Sequence, residues 1–377
     1  MRVFIRADFV VSSFNLLGQN AMKTVATIVG ARPQFIKVAP VSRAIRESGQ
    51  LTEILIHTGQ HFDANMSDVF FQELDISAPN YALGVNGGGH GAMTGTMLLR
   101  LEPLLQQLRP DIVLVYGDTN STLAGALTAA KLHIPVAHVE AGLRSFNRKM
   151  PEEINRIVTD HVSEWLFSST DIATANLRRE GIADTKIKQV GDVMYDAARI
   201  FSANEARRKH LCSQLSVDSH EFVLCTLHRA ENTDSRQRLE KIVHALEEVS
   251  RRLPVVLPLH PRTRGAMTRF GLSFDRVKLT EPVGYLDMIA LESSAAVIAT
   301  DSGGVQKEAF FCKVPCVILR DETEWSELVD LGWNTLAPPE NADIARAIFS
   351  AVGRKGRDAC PYGNGAAAGD IVRAILA

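Results

Sequence analysis

At 377 residues, with 46% hydrophobic and 22% charged side chains, the chain has the composition of a soluble globular protein and room for two domains that each bury a core. A formal net charge of -2 gives no overall attraction to nucleic acid or to an anionic membrane, so anion recognition must be local. No apolar run approaches the roughly 20 residues that cross a bilayer.

Residues 1–21 read as an extension, disordered or created by an upstream start: Arg2, Arg6 and Asp8 interrupt its apolar residues, and Met22-Lys23 offers a second start. From Val25 short apolar runs alternate with amphipathic stretches, the pattern of βαβ units on a parallel sheet. Strands are predicted at 25–29, 53–57, 112–116, 134–139 and 166–168. A helix is predicted from Pro151, because proline suits the first helical position and Glu152 and Glu153 suit the positive end of the helix dipole. Its apolar residues Ile154, Ile157, Val158, Val162 and Trp165 recur at helical spacing and are expected to be buried, leaving Glu152, Asn155, Arg156 and Thr159 opposite.

The pattern restarts after about Gly191, with strands predicted at 222–226, 254–259, 277–280, 296–300 and 315–319. Between them a helix at 238–252 carries the stripe Leu239, Ile242, Val243, Leu246 and Val249. Two such sets predict an α/β protein with two Rossmann-like, doubly wound domains, 22–190 and 191–365, and a ligand at the strand C-termini in the cleft between them. A glycine-rich hinge at 363–369 precedes a last helix within 366–377. The five cysteines, Cys212, Cys225, Cys312, Cys316 and Cys360, are odd in number and mostly in apolar settings, which reads as reduced thiols of a cytoplasmic protein.

Chemistry is expected at the strand-to-helix turns. Gly30-Ala-Arg-Pro-Gln-Phe-Ile-Lys37 puts Arg32 and Lys37 where anions are commonly held, and His228-Arg229-Ala-Glu-Asn232 repeats that placement in the second half. In Thr300-Asp-Ser-Gly-Gly-Val-Gln-Lys-Glu308 the amides of Ser302, Gly303 and Gly304 are positioned for a diphosphate, with Glu308 one turn on for vicinal ribose hydroxyls; the plainer alternative is a helix start with a glycine turn. Asp118, in Tyr116-Gly-Asp-Thr-Asn, either caps a helix or serves chemistry. His57 and His61 bracket a strand end rather than share a helix face, and Cys312 and Cys316 lack a partner pair, so no metal is expected. No dinucleotide fingerprint and no P-loop are present, which argues against bound NAD and against ATP hydrolysis.

Gly30-Ala-Arg-Pro, Gly59-Gln-His, Gly117-Asp-Thr-Asn-Ser, His138-Val-Glu-Ala-Gly-Leu-Arg, Pro151-Glu-Glu-Ile-Asn-Arg, His228-Arg-Ala-Glu-Asn and Asp301-Ser-Gly-Gly-Val-Gln occur in order. As a set they resemble the non-hydrolysing UDP-N-acetylglucosamine 2-epimerases over residues 22–377. The resemblance implies the GT-B architecture, no cofactor, a homodimer, and a last helix that returns to the first domain. It implies Asp118, Glu140, Glu152 and His228 as catalytic groups, and Arg32, Lys37, Gln60, His61, Arg156, Arg229, Ser302, Gly303, Gly304 and Glu308 as substrate-binding groups. Glu153, about 100° further round the helix, is expected not to be catalytic.

The chemistry follows from the substrate. The C2 hydrogen of a pyranose is not beside a carbonyl, so inversion without a nicotinamide requires loss of UDP from C1 with removal of the C2 proton, then return of UDP and a proton to the other face. UDP-GlcNAc going to UDP-ManNAc is the expected reaction. The wording at 61–67, Pro282-Val-Gly-Tyr-Leu286 and Thr323-Glu-Trp325 is similar to the branch acting on UDP-2,3-diacetamido-2,3-dideoxy-glucuronate, which is the alternative substrate. Asp63 after Gln60-His61-Phe62, and the loop Asn86-Gly-Gly-Gly-His90, lack the groups that hold a second, allosteric sugar nucleotide in activated family members. A GT-B glycosyltransferase and a non-catalytic UDP-sugar sensor are the readings from other classes.

Overall fold

The computed structural model describes residues 22–60, 71 and 73–377, so the expectations for 1–21 and His61 lie outside the described residues, as does the side chain of Arg32. Two sheets organise the rest. The first contains β1 (Lys23–Val29), β2 (Leu51–His57), β3 (Tyr81–Ala82), β4 (Ile112–Tyr116), β5 (Val136–Ala141), β6 (Trp165–Ser168) and β7 (Ile187–Gln189), in the order β3-β2-β1-β4-β5-β6-β7. The second contains β8 (Val223–Thr226), β9 (Val255–Pro258), β10 (Lys278–Thr280), β11 (Val297–Thr300), β12 (Cys316–Ile318) and β13 (Asn334–Leu336), in the order β10-β9-β8-β11-β12-β13. Neighbouring strands are parallel in both. All five residues of β4 and all four of β8 and of β11 are buried, as expected when helices cover both faces of a parallel sheet.

Each strand order reverses once, at β1/β4 and at β8/β11, and at such a switch point adjacent connections leave on opposite faces and open a crevice at the strand C-termini. The loops flanking these two crevices are Gly30-Ala31 and Gly117-Asp118 in the first sheet, and Leu227-His228 and Asp301-Ser302 in the second. The edge strands β3, β7 and β13 were not predicted, because each is two or three residues long and none carries an apolar run of its own.

The helix Pro151–Val162 corrects the sequence reading. Glu153, Asn155, Thr159 and Asp160 are its buried residues, while Ile154 is 50% exposed. The polar face turns inward because partners wait for it: Asn155 Nδ2 donates to the Asp118 carbonyl at 2.9 Å, and Asp160 accepts from Gly142 N at 3.1 Å. The helix from Arg236 to Ser250 behaves as expected and buries Leu239, Ile242, Val243, Leu246 and Val249.

The chain passes between the sheets twice, at Gly191 and at Gly363, packed so closely that a Cβ on Gly191 would meet the Tyr362 carbonyl oxygen at 2.7 Å and one on Gly363 would press on the Gly191 Cα at 3.0 Å. Both have positive φ, 93° and 80°, so glycine is required here for two reasons. The last helix, Ala367–Leu376, lays Ile371, Val372 and Ile375 into the core formed by Phe35, Val38, Val41 and Ile45 of the helix Arg32–Ser48. Asp196 caps it by accepting from the amides of Ala367 and Ala368 at 3.2 and 2.8 Å.

Candidate active site

Between the C-terminal edges of the two sheets lies a cavity of about 800 Å³, lined from the first sheet's side by Lys37, Asp118, Glu140 and Arg156 and from the second by Arg229, Gly304, Lys307 and Glu308. These side chains converge because the switch-point loops are tied together beneath them. Gln34 accepts from the amides of Gly30 and Ala31 at 2.8 and 3.0 Å and donates to the Tyr116 carbonyl at 2.9 Å and Thr122 Oγ1 at 3.0 Å. Gln60 accepts from Ser121 N and Oγ at 3.0 and 2.8 Å, so its side chain fastens this junction and does not line the cavity.

Glu140 is the next-to-last residue of β5 with φ at 72°, where a non-glycine residue is strained, and the β5/β6 register shifts around it. Backbone strain of this kind persists where the surroundings over-determine it, and here it directs the carboxylate into the cavity. Gly117, with φ at 63°, faces it: a Cβ there would lie 3.2 Å from both Glu140 Oε2 and Lys37 Nζ. Lys37 Nζ donates to Glu140 Oε2. Burial alone would raise the Glu140 carboxyl, but the ammonium groups of Lys37 and Lys307 outweigh it and hold Glu140 below its ordinary range, hence ionised.

One strand over, Asp118 accepts from Arg156 Nη2 at 2.6 Å. Arg156 also donates to Glu153 Oε2 at 2.8 Å, so its helical partner is Glu153 rather than the Glu152 that sequence spacing pairs with it. Glu153 accepts two further bonds, from the amides of Ser145 and Phe146, both at 2.9 Å. Burial raises this carboxyl, and the two amides together with Arg156 more than offset that, leaving it below the ordinary range. Replacing Glu153 by Gln is expected to lower the unfolding free energy by about 1–3 kcal/mol, read from denaturant melts, because an amide cannot accept all three bonds. Glu152 is half-buried in the same helical turn, makes no ion pair among the described residues and does not line the cavity.

Beneath the loop, His138 Nδ1 lies 2.7 Å from Asp160 Oδ1 and Nε2 lies 2.8 Å from the Gly117 carbonyl, and Arg144 Nη2 meets Asp160 Oδ2 at 2.7 Å. All three side chains are essentially buried, which accounts for the charge density of residues 138–160.

On the facing sheet, buried Asp301 accepts from His228 N at 3.0 Å, Arg229 N at 2.9 Å and Asn232 Nδ2 at 3.1 Å, and so fixes the loop after β8 to the end of β11. The Arg229 guanidinium, in no ion pair among the described residues, lies 3.6 Å from where a Gly303 Cβ would be, at the start of the helix Gly303–Phe311. Gly303 and Gly304, as first helical residues, carry amides with no carbonyl one turn back. Ser302 departs from expectation: its amide already donates to Thr300 Oγ1 at 2.9 Å. His228 is set back from the cavity lining, and burial, with Arg229, His260 and Arg262, holds its imidazole below the ordinary range despite Asp301, hence neutral near pH 7.

The profile of the family described as UDP-N-acetylglucosamine 2-epimerase matches residues 43–376. The chain belongs to that family. A UDP-2,3-diacetamido-2,3-dideoxy-D-glucuronate 2-epimerase of Pseudomonas aeruginosa is 53% identical over 351 residues, covering 92% of this chain and 98% of the relative. A UDP-N-acetylglucosamine 2-epimerase of Methanocaldococcus jannaschii is 45% identical over 359 residues, covering 92% and 97%. The structure of UDP-GlcNAc 2-epimerase from that organism superposes with a TM-score of 0.84 at 43% identity, over 94% of this chain and 99% of its own. The two-sheet arrangement is the GT-B fold of this epimerase family. The fold alone is shared with a Rickettsia africae glycosyltransferase at 15% identity and a TM-score of 0.55.

Within the epimerase motif Asp301-Ser-Gly-Gly-Val-Gln-Lys-Glu308 the sequence reading passed over Lys307, which lines the cavity and pairs with Asp192 at 2.6 Å, 4.5 Å from the centre of the Trp325 ring. A lysine between the glycine turn and Glu308 was legible as a cation one turn from a helix start; its partners, 115 residues away in Asp192 and beyond the motif in Trp325, were not.

Proposed function

We propose that the chain inverts C2 of a UDP-linked 2-acetamido pyranose by eliminating UDP and adding it back. The observation that carries this reading is that Asp118 and Glu140, at the ends of adjacent strands, face the same cavity as Arg229 and as Gly304 at the start of the helix Gly303–Phe311. Inversion through a glycal needs a base on one face of C2 and an acid on the other, and two carboxyl groups on separate strand ends supply that pair. The departing diphosphate needs fixed positive charge. The guanidinium of Arg229, in no ion pair among the described residues, and a helix N-terminus provide it. Lys37 and Arg156, each bound to a carboxylate, hold Glu140 and Asp118 in place, and Lys37 also helps keep Glu140 ionised.

Glu152, outside the cavity lining, is added as a third acid on the family resemblance alone, and Glu153 stays structural. Glu152→Gln is expected to reduce turnover about 10²-fold with stability unchanged, whereas Glu153→Gln acts on stability first. Equal loss of turnover at equal stability overturns that division. UDP-GlcNAc is the substrate expected from the motif set. The second reading, UDP-2,3-diacetamido-2,3-dideoxy-glucuronate, is favoured by the identity of 53% to the Pseudomonas aeruginosa enzyme named for it. Incubation with each nucleotide in D₂O, without added NAD or metal, is expected to place deuterium at C2 of the substrate used; no exchange with either removes the proposal. A cytoplasmic homodimer accompanies this reading on the family resemblance, and sedimentation of the purified chain checks the dimer.

A further inference from the structure

The helix Tyr285–Ser294 carries a glutamate that no motif singled out. Glu292 is fully buried, and no N–H or O–H donor among the described residues reaches either of its carboxyl oxygens. Facing it across the packed helices Tyr285–Ser294 and Gly303–Phe311 is a second carboxyl, that of Glu308. Two buried carboxylates at close quarters repel and each can only accept, so this pair is stable when it holds one proton.

The surroundings decide which oxygen carries it. Glu308 lines the cavity, with Lys307 beside it and Asp192 opposing. Glu292 lies behind, near Tyr285, Cys312 and Cys316, whose acidic protons its charge would disfavour releasing. The proton therefore belongs on Glu292 and the negative charge on Glu308, toward the cavity and Lys307. We propose that Glu292 is a positioning residue: it keeps a proton, donates it in a hydrogen bond to Glu308, and so presents an ionised Glu308 to the vicinal hydroxyls of a nucleotide's ribose. The inference rests on the reading of the cavity as a UDP-sugar site.

Burial pushes Glu292 well above the usual carboxylate range. Burial likewise raises Glu308, to about 7, against the opposing pull of Lys307 and of the Glu292 hydrogen bond. The sign is then fixed. Glu308 gains its charge as pH rises through about 7; removing the hydrogen bond moves that point upward, and a glutamine amide, still a donor, leaves it in place.

The test is calorimetric titration of the full chain with UDP, for the wild type, Glu292→Gln and Glu292→Leu, near pH 7 and about two units higher. Glu292→Leu is expected to weaken UDP binding about tenfold near pH 7 and to recover most of it at the higher pH, with Glu292→Gln close to wild type at both. A leucine variant that binds as wild type, or two variants equally weakened at both pH values, overturns the inference. Wild-type protein that fails to bind UDP at all overturns the nucleotide reading of the cavity, and the inference with it.

Discussion

Replacing Glu140 with Gln is expected to lower kcat for C2 inversion about 10³-fold, with a much smaller change in KM, because the amide keeps the shape of the side chain and loses only its capacity to take and return a proton. The companion variant is Lys37→Met. In the wild type Lys37 and Lys307 hold Glu140 ionised below the ordinary carboxylate range, so its own titration does not limit the rate near neutrality. Removing the Lys37 ammonium leaves burial, the largest influence, less opposed, and the carboxyl titrates at higher pH. The acid limb of the kcat/KM profile should therefore shift upward in Lys37→Met and be absent from Glu140→Gln. Profiles of the three proteins check this directly, and an unshifted limb in Lys37→Met would show that Glu140 is not the group being titrated.

Lys307→Met is expected to cost about 3 kcal/mol of stability, the second large effect. Lys307 and Asp192 are almost wholly buried, with side-chain exposures of 9% and 2%, and approach to 2.6 Å. Removing the ammonium leaves a buried carboxylate with, among the described residues, only the Met194 amide, at 2.8 Å, to satisfy it. Breaking one side of such a pair costs more than removing both, so adding Asp192→Asn to Lys307→Met should return part of the loss. Denaturant melts of the single and double variants measure it. Asp192 begins the helix Val193–Ser202 where the chain passes between the sheets, and its amide donates to the Tyr362 carbonyl at 2.9 Å, so the pair also joins the cavity wall to that crossing.

The alternation of apolar runs and amphipathic stretches carried the two-sheet plan, because a strand buried on both faces leaves an unmistakable run such as Ile112–Tyr116. The switch-point loops were legible for a related reason, since glycine, basic residues and acids gather where strands hand over to helices. The face of the helix Pro151–Val162 was not legible. Periodicity reports where apolar residues fall, but what turned this helix was a set of polar partners, the Asp118 carbonyl, the Gly142 amide and the 145–146 amides, that only the fold brings together. Glu292 was hidden likewise. In sequence it sits in an apolar helix beside two serines, and its meaning comes from Glu308, sixteen positions on.

The elimination route makes one demand that no oxidation–reduction route shares: the bond between C1 and the diphosphate oxygen must break in every inversion. UDP-sugar labelled with ¹⁸O in that bridging position, incubated with the enzyme and analysed by ³¹P NMR, reports it. Migration of label into the non-bridging β-phosphate positions, in step with C2 inversion, is the expected result. Inversion at C2 with the label still wholly in the bridge would contradict it.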